Sequence, residues 1–244
     1  MKYQIDTVPV WDAYKEGGEC PLCSIRNRVE EMEIGYFLGD SYMEPDQRIE
    51  VNQKYFCADH LKCLYEESNR LGLALMTHTH IKNMLPGLNK NADNLATAAK
   101  KDGLKPAPLR KNLKSQIQVI RELTGRCVLC ERLKANIERY EYTILHLFGH
   151  DQEFQEAFRE SKGLCLEHYA DLLEMAANHL NGKTLAEFVD VLTKAETENF
   201  KRLEGEVEWF TLKFDYRNGD KPWGNSKDSV KRCVNKLRHE TVQD

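Results

Sequence analysis

Several kinds of segment are missing from this chain of 244 residues, and each absence removes a class of function. No apolar run is long. The cleanest runs from Leu71 to Met76 with Gly72 inside it, far short of the roughly 20 residues that a membrane helix needs. Met1 to Tyr14 holds no basic stretch followed by an apolar core, so no export signal is expected. There is no G-x-x-x-x-G-K-[ST], no G-x-G-x-x-G and no G-x-S-x-G. Nucleotide and hydrolase readings therefore lack the loop that would cradle a phosphate or present a nucleophile. His146 and His150 have the i, i+4 spacing of a zinc-protease helix, but Leu147-Phe148-Gly149 between them lacks the general-base glutamate. Alternating apolar and polar residues never run far enough to indicate a strand.

What is present is a charged globular chain, with 41% hydrophobic and 30% charged residues. The net charge of −4 is unevenly spread. Residues 1–86 hold 9 basic and 14 acidic side chains, residues 87–126 hold 9 and 3, and residues 127–244 hold 17 and 22. The basic band, densest around residues 100–126, could meet nucleic acid. The plainer reading, favoured here, is an exposed connecting helix that attracts acidic neighbours, since nucleic-acid affinity normally needs a larger positive field.

The eight cysteines are more informative. Without an export signal the compartment is expected to be the reducing cytoplasm, where paired cysteines serve as metal ligands more often than as disulfides. The first half contains Cys20-Pro21-Leu22-Cys23 and then Cys57-Ala58-Asp59-His60; the second contains Cys127-Val128-Leu129-Cys130 and then Cys165-Leu166-Glu167-His168. The gaps between the pairs are 33 and 34 residues. A shift of 107 or 108 positions superposes all the donors, and also sets Phe56 on Leu164, Leu64 on Leu172 and Leu38 on Leu145. This is an internal duplication, too long in period to be a solenoid unit.

Each motif opens a segment of helical periodicity. C-x-x-C can curl both thiolates onto one ion, and in C-x-x-H at a helix start the i and i+3 side chains share a face. A Cys₃His set is a closed tetrahedral zinc site, with no position left for water or substrate. Two such sets predict two structural zinc ions per chain: Cys20, Cys23, Cys57 and His60 in the first half, Cys127, Cys130, Cys165 and His168 in the second. Iron is the lesser alternative, a cluster with one histidine being uncommon. A redox dithiol is disfavoured because its usual βαβ setting is missing.

The organisation expected is all-α: a first zinc module over residues 1–86, a basic linker and connecting helix over 87–126, and a second zinc module over 127–244 that includes a long helix and a C-terminal clasp. Pro86 to Lys105 reads as a mobile connection. Pro45 reads as a helix stop. Thr184 and Glu187 read as a capping box for a helix of about 30 residues, long enough to bridge both modules.

C-P-L-C at Cys20 to Cys23, M-E-P-D at Met43 to Asp46, N-R-L-G-L-A-L from Asn69 to Leu75 and K-F-D-Y-R-N-G-D-K-P-W-G-N-S-K-D from Lys213 to Asp228 together resemble a bacterial family catalogued as domain of unknown function 6062. Val128 departs from the C-P-x-C form of the motif. The resemblance implies an all-helical bacterial protein and brings no activity, substrate or partner.

Among other candidates, Asp215, Tyr216, Arg217, Asp220 and Trp223 form a polar and aromatic loop that could line a ligand pocket or act as a clasp, with Arg217 paired to a carboxylate and Trp223 packed on the bundle. The clasp is favoured. His78 and His80 point apart on one helix, one core-facing and one exposed. Cys63 and Cys233 have no counterpart in the repeat and read as packed free thiols. The functional expectation is a protein-binding or scaffold role with an unknown protein partner and no membrane. The alternatives are a small-ligand binder or enzyme using the loop from Asp215 to Trp223, and nucleic-acid binding through residues 100–126.

Overall fold

A computed structural model describes residues 4–102 and 106–238. Among these residues there are eleven α-helices and no strand: α1 (Gln4–Lys15), α2 (Pro21–Leu38), α3 (Pro45–Lys54), α4 (Ala58–Glu66), α5 (Arg70–Asp102), α6 (Pro106–Thr124), α7 (Val128–His150), α8 (Gln152–Glu160), α9 (Leu166–His179), α10 (Gly182–Leu212) and α11 (Ser229–Arg238). No helix of the described residues is long and apolar enough to cross a membrane.

The chain divides into two compact units that differ from the division at residues 86 and 126. One unit comprises Met1–Arg28 with Ala135–Asp244, and the other Val29–Lys134. Helix lengths give the reason. The 18-residue α2 carries the chain about 22 Å beyond Cys23 at about 1.5 Å per residue. The 10-residue α3 runs only about 15 Å, and Cys57 gathers with Cys127 and Cys130 rather than with Cys23. The second half repeats this with the 23-residue α7 and the 9-residue α8.

In the first unit the core is aromatic. Phe148, Phe154, Phe158 and Phe188 are almost fully buried, with edge-on pairs such as Phe148–Phe188 at 4.9 Å and Tyr14–Phe154 at 5.0 Å. Asp151 caps α8 by accepting from the Phe154 N–H at 3.1 Å, which sets the turn that delivers Phe154 and Phe158 to that core. Helix α10 lies wholly within this unit. It starts at Gly182 after Asn181, so Thr184 is already inside the helix and the expected capping box is not its start.

In the second unit Phe37, Val51, Phe56, Leu64 and Met76 form an apolar cluster with Cys127, Val128 and Leu129. Two expectations are corrected here. Pro45 occupies the first turn of α3 and opens that helix, where its missing N–H has no helical acceptor to lose. The stretch from Pro86 onward is not a loose connection: α5 continues through it to Asp102. Asn91 is buried and donates to the backbone oxygen of Gln116 on α6 at 3.0 Å, so packing against α6 holds a segment whose composition suggested a loop. The last part of that expected connection, residues 103–105, lies outside the described residues.

Candidate metal centres

All four motifs begin in the same way. The carbonyls of Cys20, Cys57, Cys127 and Cys165 accept from the N–H groups of Ser24, Leu61, Glu131 and Tyr169 at 3.3, 2.9, 3.1 and 2.8 Å. Each first cysteine therefore sits at a helix N-terminus, and the second donor lies in the first turn. The positive end of the helix dipole faces the donors and favours the negative charge that thiolates bring.

The donors assemble across the duplication. Cys20 and Cys23 meet Cys165 and His168, while Cys57 and His60 meet Cys127 and Cys130. This corrects the expected pairing within each half: every set takes its C-x-x-C from one copy and its C-x-x-H from the other, because neither half returns to its own start. Each set is contained in one of the two units.

In the first set Nδ1 of His168 lies 3.5 Å from Sγ of Cys20 and of Cys23 and 3.3 Å from that of Cys165, and Cys23 and Cys165 are 3.6 Å apart. In the second, Nδ1 of His60 lies 3.1, 3.3 and 3.4 Å from Cys57, Cys127 and Cys130, and Cys57 and Cys130 are 3.8 Å apart. A tetrahedral ion with metal–sulfur bonds of about 2.3 Å and metal–nitrogen bonds of about 2.0–2.1 Å requires donor edges of about 3.5–3.8 Å. Both clusters come close to that spacing and could hold a metal ion.

Charge sharing within the clusters points the same way. Burial opposes the imidazolium of His60, yet contacts with Cys127 and Glu30 carry its pKa up to about 10. Burial likewise opposes the Cys127 thiolate, and the contact with His60 brings it down to about 6. His168 is also raised to about 10 against the cost of its burial, by Cys165 and Cys20. Thiolates and imidazole this close share protons, and a divalent cation would take their place.

Beyond the donors the clusters differ. His60 Nε2 lies 3.0 Å from Glu30 Oε1, the outer carboxylate that fixes a metal-binding imidazole's orientation. Behind the first set stands a polar network. Glu196 Oε2 accepts from the Leu164 N–H at 2.8 Å. The Lys236 ammonium, fully buried, donates to the carbonyl of Glu19 at 3.1 Å and to that of Lys162, and lies 3.7 Å from Glu196. One lysine on α11 thus grips the backbone just ahead of both ligand pairs. Glu19 is itself held by Arg202 at 2.6 Å and Arg232 at 3.2 Å. None of Glu30, Glu196 and Lys236 stood out in the sequence. A carboxylate on a helix face and a lysine near the C-terminus look like surface residues until tertiary packing buries them.

The loop after α10 is held from within. Lys213 is buried and its ammonium donates to the carbonyls of Asn218, Gly219 and Lys221, the first two at 2.7 and 2.8 Å. Asp215 accepts from the backbone N–H and guanidinium of Arg217 at 2.9 and 3.0 Å. Trp223 packs on Phe210 and Phe214, with ring centroids 5.8 and 6.4 Å away, and the Trp209 indole donates to the Pro222 carbonyl at 3.0 Å. Asp220 and Tyr216 are exposed. An open cavity of about 420 Å³ lies beside this loop, lined among others by Arg202, Gly205, Trp209 and Trp223. His80 is buried, stacked on Tyr55 at 4.1 Å and bonded to the Asn52 carbonyl at 3.0 Å. His78 is exposed. The two do not converge.

An all-helical chain with two crossed Cys₃His clusters defines a class of protein with paired candidate metal centres. The chain belongs to the Family of unknown function (DUF6062), which it matches over residues 1–244. No curated protein and no solved structure matches it.

Proposed function

We propose that this protein is a cytoplasmic scaffold whose two clusters each bind one structural zinc ion and whose role is to engage a protein partner. The observation that carries this reading is that each cluster supplies four protein donors at the spacing of a tetrahedral ion. Four protein ligands fill zinc's coordination shell, so the ion ties helix ends together and presents no open position for chemistry. Zinc with three thiolates and a neutral imidazole carries a net charge of −1, which the converging helix N-termini favour.

The test is elemental analysis of protein purified without added metal or chelator, together with Cys57→Ser and Cys165→Ser. About two zinc per parent chain and about one per variant, with a lowered melting temperature in each variant, is the expected result. Iron, a coloured protein, or unchanged melting in both variants overturns the structural reading.

A second reading, a small-ligand site, draws on the cavity beside Trp209 and Trp223. The internal bonding of the loop supports the clasp more strongly: Arg217 is paired with Asp215, and Trp223 is packed on α10 residues. A ligand whose binding is lost in both Trp223→Phe and Arg217→Ala would revive the small-ligand reading.

A further inference from the structure

The far part of α5 and the whole of α6 form an antiparallel hairpin with only three residues between the helices. A two-helix hairpin can bury one line of contact and no more. That line is occupied by Ala98 and Asn91, both buried, with Asn91 bonded to Gln116. Beside it, Ile81, Leu85 and Leu88 on α5 and Leu113, Ile117 and Ile120 on α6 are between 37% and 44% exposed. At about 100° per residue, all six fall on the same side of the line of contact, because antiparallel helices wind in opposite senses when viewed from one end. They make a single apolar face, and spaced leucines and isoleucines of this kind are how a helix seats a further helix.

Charge says what that further helix carries. Residues 81–124 hold nine basic and three acidic side chains, in a chain whose net charge is −4. At the same angular spacing, Arg110, Lys114 and Arg121 run as an exposed row along the rim of the apolar face on α6. We propose that this face docks an acidic amphipathic helix of a partner protein, whose apolar stripe covers the six side chains and whose carboxylates meet the basic rim. The proposal rests on the scaffold reading above and gives it a surface. A second copy of this chain would bring its own excess of positive charge to the contact. Nucleic acid has no use for an apolar stripe, and residues 81–124 contain no Phe, Trp or Tyr on which bases could stack or which could anchor at a membrane interface.

The experiment uses the full metal-bound chain and a labelled synthetic peptide of about 20 residues, with leucines at helical i, i+3, i+4 and i+7 spacing and glutamates at the flanks. Saturable binding by anisotropy is expected, weakening about tenfold as salt rises from about 50 to about 300 mM, since rim charges are screened over about a Debye length. A peptide with lysines in place of the glutamates is expected not to bind. Ile117→Glu with Ile120→Glu is expected to weaken binding about tenfold or more while zinc content and helicity stay at parent values. Charge reversal by Arg110→Glu, Lys114→Glu and Arg121→Glu is expected to move the preference to the lysine peptide.

Equal binding of both peptides, or undiminished binding by the isoleucine double variant, overturns the proposal. So does a dimer that the double variant dissolves, or displacement of the peptide by an RNA oligonucleotide or by phosphatidylglycerol vesicles. Failure to bind by a chain holding two zinc ions defeats this inference alone. Peptide binding by a chain that holds no zinc defeats the structural-metal reading alone.

Discussion

Two residues ahead of each C-x-x-H motif the backbone turns left-handed, at Tyr55 with φ of 56° and at Gly163 with φ of 71°. The duplication sets these two residues on each other, and the two units solve the same turn differently. At Gly163 a side chain is excluded twice: by the positive φ, and by Glu196, whose carboxylate and Cα crowd the place of a Cβ. At Tyr55, with ψ of −149°, a bulky residue bears a positive φ that is all but reserved for glycine, at a cost of about 1–3 kcal/mol. Its hydroxyl bonds Thr77 at 2.8 Å, its ring stacks on His80, and its carbonyl accepts from the Val128 N–H at 3.0 Å. The counterpart of Val128 is Pro21, which has no N–H to donate. The departure from C-P-x-C that looked neutral in the sequence thus supplies a bond that helps hold Tyr55. Glycine with a buried Lys236–Glu196 network behind it, and tyrosine with a backbone bond and an aromatic stack, are alternative ways to hold one candidate metal knuckle.

Exposure follows the same division. Cys165 is fully buried, whereas Cys130 is exposed. The largest expected difference between the units is therefore kinetic. With a chelator in excess, one metal ion should leave at least about tenfold faster than the other, in line with the leverage of outer-shell packing on metal sites. A thiol-alkylation map should then show Cys130 and Cys57 modified first. Equal release from both sites would break the comparison.

Gly163→Ala comes next. Forced φ and the clash with Glu196 should cost about 3 kcal/mol by denaturant unfolding, whereas Tyr55→Ala should cost about 1–2 kcal/mol for its lost bond and stack. A smaller loss at Gly163 than at Tyr55 would invert the assignment of which knuckle depends on close approach. Lys236→Met removes the donor shared by the Glu19 and Lys162 carbonyls and leaves Glu196 buried without its cation. It should cost about 3 kcal/mol and speed metal loss only from the site containing Cys165. Equal acceleration at both sites would sink the idea of a local strap.

Val128→Pro should cost about 1–2 kcal/mol by leaving the Tyr55 carbonyl without its donor, read as a shift in denaturant midpoint at constant slope. The last prediction is a pH dependence. Glu141, 3% exposed, has its pKa raised to about 7 by burial and then by Asp171. From its ordinary pKa near 4.5 up to 7 the folded chain keeps a proton that the unfolded chain has released, so stability falls as pH rises through that window. Glu141→Gln cannot ionise. Its melting temperature should match the parent's at pH 4.5 and exceed it above pH 7, and a constant difference at every pH would show that Glu141 is charged throughout.

Helix positions were the easiest part of this protein to read, because apolar residues at three- and four-residue steps announce a helix without reference to anything distant. The eight metal-donor candidates were legible for a similar reason: two cysteine–histidine spacings repeated about 107 residues apart are improbable without a shared purpose. The helical state of residues 86–102 was not legible, since Pro86, Gly87 and a run of Asn and Lys are loop-like on their own and only the grip of Asn91 on α6 makes them a helix. The buried roles of Glu196 and Lys236 were hidden likewise, because a charged side chain declares its burial only when its neighbours are in place.

The sequence by itself determined the helical class, the eight candidate donors and their local geometry, since all of these depend on contacts within a turn or two. The tertiary structure decided which C-x-x-C faces which C-x-x-H. That choice depends on how far a rigid helix carries the chain before it can turn, and α2 and α7 each outrun the shorter helix that follows them.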